Sequence, residues 1–274
     1  LGPIVLGVPH LLADLRYCVI RTRWHRRPAL WIGVGLPAIA LMLGAPLALG
    51  FAALFGAAAA SHARSGARRI GVYSLLAFAL AGFLALGPLG ALVLVHLYNF
   101  VALLLWARWR RRAQDHHTLV LIAFVLGSLV ILLGGLDPLI ELPLVHSAPT
   151  GLELRHHLAG LAGGLEGPLA LRLVLLFAFA QSVHYGVWLR MVPEDDRDRP
   201  TPRSFRASWR ALVAELGPIL PWLALLGSLA LASWALFDLA AARTNYLRFA
   251  SFHGFLELAL LITMISEGRR FVHD

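Results

Sequence analysis

Four histidines of this chain fall inside long apolar segments, and three of them have an acid or amide one helical turn further on. His10 precedes Asp14 by four residues, His253 precedes Glu257 by four, and His96 precedes Asn99 by three. His184 has no such partner, but Gln181, Tyr185 and Trp188 lie close to it in sequence. Residues three or four apart share a helix face, so each pair can act as a unit. Imidazole and carboxylate arriving from several helices is the donor set of a buried transition-metal centre. The carboxylate or amide could instead accept the N–H of a ligating imidazole and fix its orientation. For Asp14, Glu257 and Asn99 both roles are open, and an acid at i+4 is expected to support its own helix's histidine. The expected ion is iron, with copper or zinc as alternatives, because only imidazole and carboxylate donors are on offer. Haem held by two opposed imidazoles is the alternative cofactor.

These residues need a frame, and the composition says which. The chain of 274 residues is 59% hydrophobic and 14% charged, where a soluble domain carries about a quarter charged residues. This predicts an all-α, polytopic transmembrane helical bundle, with residues 1–274 forming one integral membrane domain. The formal net charge is +9 and every one of the 24 basic residues is arginine. The arginines gather at the ends of apolar segments, which predicts membrane orientation and no nucleic-acid partner. A single cysteine, Cys18, excludes an intramolecular disulfide and a thiolate metal site. The chain opens inside an apolar run without methionine, and is expected to lack its native start.

Nine apolar runs are long enough to be read as spans: 1–20, 29–46, 48–62, 70–86, 89–107, 118–136, 168–190, 211–237 and 246–267. The second and third, interrupted by Pro46, are the least regular, so eight spans is the alternative. Stretches 21–28, 63–69, 108–117, 190–210 and 268–274 hold 19 of the 24 arginines. The positive-inside rule then puts all five on the cytoplasmic side of a bacterial inner membrane, with the C-terminus cytoplasmic. Segment 137–167 becomes an outer loop, and its LELRHHLAGLAGGL run can form a helix on the membrane surface.

In that topology His10, His96 and His253 lie about 10–15 Å below the outer boundary, and His184 lies deeper. All four are expected to converge as metal ligands. Tyr98, Tyr185, Trp188 and Gln181 are expected to line a cavity beside them. His25, His62, His116, His117 and His273 stand at span boundaries among arginines and read as interfacial. His146, His156 and His157 offer a weaker second metal site in the outer loop. Tyr246, Arg248 and Arg172 read as snorkelling interfacial residues, Glu215 and Asp238 as solvated span ends, and 191–210 as a solvated connection. No hydrolase or nucleotide-binding signature is present.

The segment Gly7-Val8-Pro9-His10-x3-Asp14 resembles the opening of the bacterial β-carotene 15,15′-dioxygenase family, the Brp/Blh proteins. That resemblance implies an all-helical membrane fold, a non-haem iron held by histidines from several spans, and oxidative cleavage of a carotenoid. It assigns His10 as the first-helix iron ligand. The family's late helix carries two histidines a turn apart, whereas here His184 is followed at that spacing by Trp188 and the fourth histidine is on another span.

The expected function is therefore a membrane metal-dependent oxidoreductase or oxygenase acting on a lipophilic small molecule drawn from the bilayer. A haem-binding electron carrier, using His10/His253 or His96/His184, is the alternative. A transporter built on the same histidines and carboxylates is the third reading.

Overall fold

The computed structural model describes residues 2–108, 116–140, 154–196 and 204–268. His146 and His273 lie outside the described residues, as do residues 109–115, 141–153, 197–203 and 269–274. Every regular element among the described residues is helical. The main helices are α1 (Gly7–Asp14), α2 (Pro28–Met42), α3 (Gly50–Ala60), α4 (Gly66–Leu86), α5 (Pro88–Arg108) and α6 (His116–Leu132). They are followed by α7 (Leu154–Leu161), α8 (Pro168–Gly186), α9 (Phe205–Leu216), α10 (Ile219–Phe237), α11 (Leu239–Phe249) and α12 (Phe252–Glu267).

Five stretches are long and apolar enough to cross a membrane: α4, α5, the run Pro168–Asp195 that begins with α8, α10, and the run Leu239–Glu267 formed by α11 and α12. The chain is thus an integral membrane protein. The helices Pro28–Met42, Leu47–Ala60 and His117–Leu132 are apolar but shorter. Two of the expected spans are broken. Residues 211–237 divide at Gly217 and Pro218 into α9 and α10, and the last span starts earlier than its hydropathy indicates and breaks at Ala250 and Ser251.

Local chemistry accounts for many of the helix ends. Ser65, Ser204 and Asp238 cap α4, α9 and α11 by accepting from the main-chain N–H three residues on. Gly87, at φ +52°, closes α4, and Pro88 opens α5 directly after it. Only 11% of the apolar window is buried in α4 and in α10, against 61% in α11–α12. The first two face lipid, and α11–α12 forms the centre of the bundle. Helix α12 packs against α2, α3, α4 and α5. Helices α2 and α3 cross at Gly33 and Gly56, where a side chain on either would strike the other's backbone. Small residues let membrane helices approach this closely.

Two helices that carry the chemistry change winding beside it. After Asp14, α1 continues as a π-helical segment, Leu15–Ile20, and after Gly186, α8 continues as Val187–Met191 in the same form. The wider turn re-aims the face beyond it, a device common at functional sites.

Candidate metal centre

His10 on α1, His184 on α8, and His253 and Glu257 on α12 meet in the centre of the bundle. Each offers a ligand atom, and those atoms all lie within 4.8 Å of one another. His10, His184 and Glu257 are completely buried and His253 is 9% exposed. The His10 and His184 Nε2 atoms are 3.0 Å apart, and His184 Nε2 is 3.2 Å from Glu257 Oε1. Asp14 joins from the His10 side, with Oδ2 3.4 Å from His10 Nε2. Donors bound to one ion at about 2.0–2.2 Å stand roughly 3.0–3.5 Å apart along the edges of the coordination shell. The observed separations match such edges.

The His253 Nδ1 faces the Ala250 carbonyl, which can only accept, so Nδ1 carries the proton and donates. The lone pair is then on Nε2, which is buried and has no hydrogen-bond partner. A main-chain carbonyl that fixes the tautomer in this way is the usual support of a metal-ligating imidazole. Both Asp14 oxygens and Asn99 Oδ1 are likewise buried without a hydrogen-bond partner. Leaving such groups unsatisfied costs about 1–3 kcal/mol each. The side chains of Asp14 and Glu257 lie in one buried region, with no arginine in the cluster. A divalent cation would offset the charge of both.

The helical pairs are rearranged across the site. Asp14 stays with His10, as the i+4 spacing predicts. Glu257 lies beside His184 of α8, with the Trp188 indole next to it. Glu257 is therefore placed to act across the site and not only on its own helix.

His96 is not brought into this cluster. Its Nε2 donates to the Leu161 carbonyl of α7 at 3.0 Å, and its ring meets Phe177 edge-on. The residues of α5 that face the site are Tyr98 and the completely buried Asn99. Depth along the helix put His96 level with the others, but α5 is apolar on all sides, so hydropathy carried no information on which way it points. The main chain of Asn99 borders His184, while its side-chain Nδ2 turns back to the Val95 carbonyl at 3.5 Å.

The aromatic residues form a shell. Tyr98 meets the His184 and His253 rings edge-on at 5.3 and 5.4 Å, and its hydroxyl donates to Gln181 Oε1. Tyr185 meets His10 edge-on at 5.0 Å. Beside the cluster lies a cavity of about 740 Å3, walled mainly by aliphatic and aromatic residues of α5, α7, α11 and α12. Tyr98 and His253 line it. Gln181, Tyr185 and Trp188 do not line this cavity. They pack behind the histidines, with Trp188 fully buried near Tyr17.

Several residues read as solvated or interfacial are instead paired or buried, most of them in a second polar network beyond the C-terminal end of α8. His117 and the Trp106 indole N–H both bind Asp195 Oδ2, at 2.6 and 2.7 Å. Arg16 and Arg21 each grip Glu215 with two nitrogens, and Arg21 also reaches Asp196. Arg172 pairs with Asp137, and Tyr246 is buried against Gly7.

The chain matches no protein-family model, and no curated protein or solved structure matches it.

Proposed function

We propose that this protein is a metal-dependent membrane oxidoreductase acting on a lipophilic substrate, with the ion held by His10, His184, His253 and Glu257. One observation carries the reading: three imidazoles and a carboxylate from three helices converge at ligand spacing beside an apolar cavity of about 740 Å3. A set of three nitrogens and a carboxylate oxygen suits iron, zinc or manganese, and iron is the choice that supports oxidation. The ion would supply redox chemistry and oxygen activation at the cavity's inner end. His253 would serve as both ligand and cavity wall. Tyr98, tethered by Gln181, would form the floor against which substrate stops. Asp14, whose Oδ2 lies 3.4 Å from the same His10 Nε2, would balance charge beside the ion.

Haem is a poorer fit. Imidazoles on opposite faces of a haem iron stand about 4 Å apart at Nε2, given Fe–N bonds of roughly 2 Å. Of the two imidazole pairs offered for haem, His96 turns to Leu161 and not to His184, and the His10 and His253 ring centroids are 5.2 Å apart, short of the roughly 6 Å that two such bonds and the ring radii require. The opening motif, Gly7-Val8-Pro9-His10-x3-Asp14, makes a distant kinship with the Brp/Blh carotenoid-cleaving proteins part of the proposal. The orientation proposed is nine spans with the arginine-rich ends and the C-terminus cytoplasmic.

The test is elemental analysis of protein purified without chelator, coupled to oxygen uptake with β-carotene and with shorter isoprenoid and acyl lipids. Iron near one per chain with lipid-dependent oxygen uptake supports the proposal. Iron-loaded protein that consumes no oxygen with any of these lipids rejects the oxidoreductase assignment.

A further inference from the structure

The same cavity has a second, chemically different end. Its inner end is His253 and Tyr98, and its outer end is formed by Arg243 and Arg248 of α11 with His156 and His157 of α7. Among the described lining residues none is Asp or Glu. Elsewhere in the chain arginines near the bundle find carboxylates: Arg16 and Arg21 take Glu215, Arg27 takes Glu267, and Arg172 takes Asp137. Arg243 and Arg248 have no carboxylate within ion-pair distance among the described residues. Arg243 Nη1 donates instead to His156 Nε2 at 3.2 Å, a contact that requires His156 to be a neutral acceptor. Burial, then the charge of Arg243, hold His157 below the usual histidine range. The positive charge at the cavity mouth therefore belongs to the two guanidinium groups.

We infer that this cavity takes a single-chain lipid with an anionic head, carboxylate or phosphate, bound by Arg243 and Arg248 with the hydrocarbon chain running inward to His253. The inference rests on the reading of the His10/His184/His253/Glu257 cluster as the reactive centre. Two arginines with no carboxylate partner among the described residues would present charge-assisted donors that match an oxyanion. The remaining wall is apolar, and about 740 Å3 lies within the roughly 300–1,000 Å3 of small-molecule sites. Arg248 and Arg243 precede His253 by five and ten residues and lie on α11, across the break at Ala250 and Ser251 from the imidazole on α12. A head fixed there leaves chain carbons, and not the head, next to the imidazole. The short helix α7, which supplies both mouth histidines, covers this end as a surface helix would at the headgroup level.

The experiment uses the purified full chain in nanodiscs of zwitterionic lipid. Binding of chain-spin-labelled stearic acid and of its methyl ester is read from the motionally restricted EPR component. Lysophosphatidate, stearate and stearyl alcohol serve as unlabelled competitors. The acid should bind about 10–100-fold more tightly than the ester, as a charge-assisted pair implies. The Arg243→Gln/Arg248→Gln double variant should remove that preference, and Arg243→Lys/Arg248→Lys should keep most of it. Competition by stearate assigns a carboxylate head, and competition by lysophosphatidate alone assigns a phosphate. Equal binding of acid and ester by the wild type, or an acid preference that survives in the Gln double variant, would overturn the inference. Metal content is measured on the same samples. Head-group selectivity in protein that binds no metal would reject the catalytic reading alone, and loaded metal without selectivity would reject this inference alone.

Discussion

Two buried polar clusters occupy this bundle, and they balance their charges in opposite ways. Beyond the C-terminal end of α8, Arg16 and Arg21 close on Glu215 while His117 and Trp106 close on Asp195. Each carboxylate there has a donor or a cation supplied by the chain. In the centre, Asp14 and Glu257 lie among His10, His184 and His253 with no cationic side chain in the cluster. The first arrangement is complete and holds helices together. The second lacks a cation from the chain, and that difference makes it the candidate for holding a metal ion.

The sharpest way to break this contrast is to remove ligands. His184→Ala and His253→Ala should each reduce bound metal by at least about 10–100-fold in affinity, measured by titration of chelator-stripped protein. Retention of wild-type affinity in both variants would put the centre elsewhere. Glu257→Gln should weaken binding as strongly as a histidine loss if it is a direct ligand. Asp14→Asn should keep the metal and cost less, since Asp14 stands beside the four-residue ligand group and is not one of its members.

The charge-paired cluster should behave in reverse. Asp195→Ala leaves His117 and Trp106 without their shared acceptor and should lower stability by about 1–3 kcal/mol, with metal affinity unchanged. Thermal unfolding in detergent together with metal titration reads both quantities. A loss of metal without a loss of stability would erase the distinction between the clusters.

The pH response sharpens the same contrast more gently. Burial raises the Glu215 carboxyl, but the hydrogen bond and charge of Arg16, with those of Arg21, more than reverse this and hold it below its ordinary 4.5. A depressed folded-state value means that its stabilisation is fully present above pH 4.5 and is lost as pH falls below it. Glu215→Gln should flatten the acid limb of the stability profile, followed by unfolding between pH 5 and 3. An unchanged acid limb would show that Glu215 is not held by the arginines.

The smallest expected effect is at His96. Its one hydrogen bond to Leu161 is worth about 0.5–1.5 kcal/mol, so His96→Ala should be slightly destabilised and should bind metal normally. Metal loss in that variant would restore it to the ligand set.

How much of this was legible in the sequence follows from what hydropathy encodes. It encodes depth, so ionisable residues at membrane depth stood out, and His10, His184 and His253 were found that way. It does not encode azimuth on a helix that is apolar all round, so His96 could not be told from Tyr98 and Asn99 on α5. The i+4 rule paired Asp14 with His10, but Glu257 reaches His184 across the helices because α12 packs close to α1 and α8 at this point. Charged residues at span ends default to solvent, which hid the network around Glu215 and Asp195. Hydropathy averaging also passed over the breaks at Gly217 and at Ala250, because each interruption is shorter than the window that detects a span.

X-ray absorption at the metal edge of protein purified without chelator tests the central claim most directly. The account predicts a single ion with three imidazole nitrogens and a carboxylate oxygen at about 2.0–2.2 Å, a signal lost in His253→Ala. A protein that binds no transition metal under any loading condition, or an ion whose imidazole shell is unchanged in that variant, would contradict it.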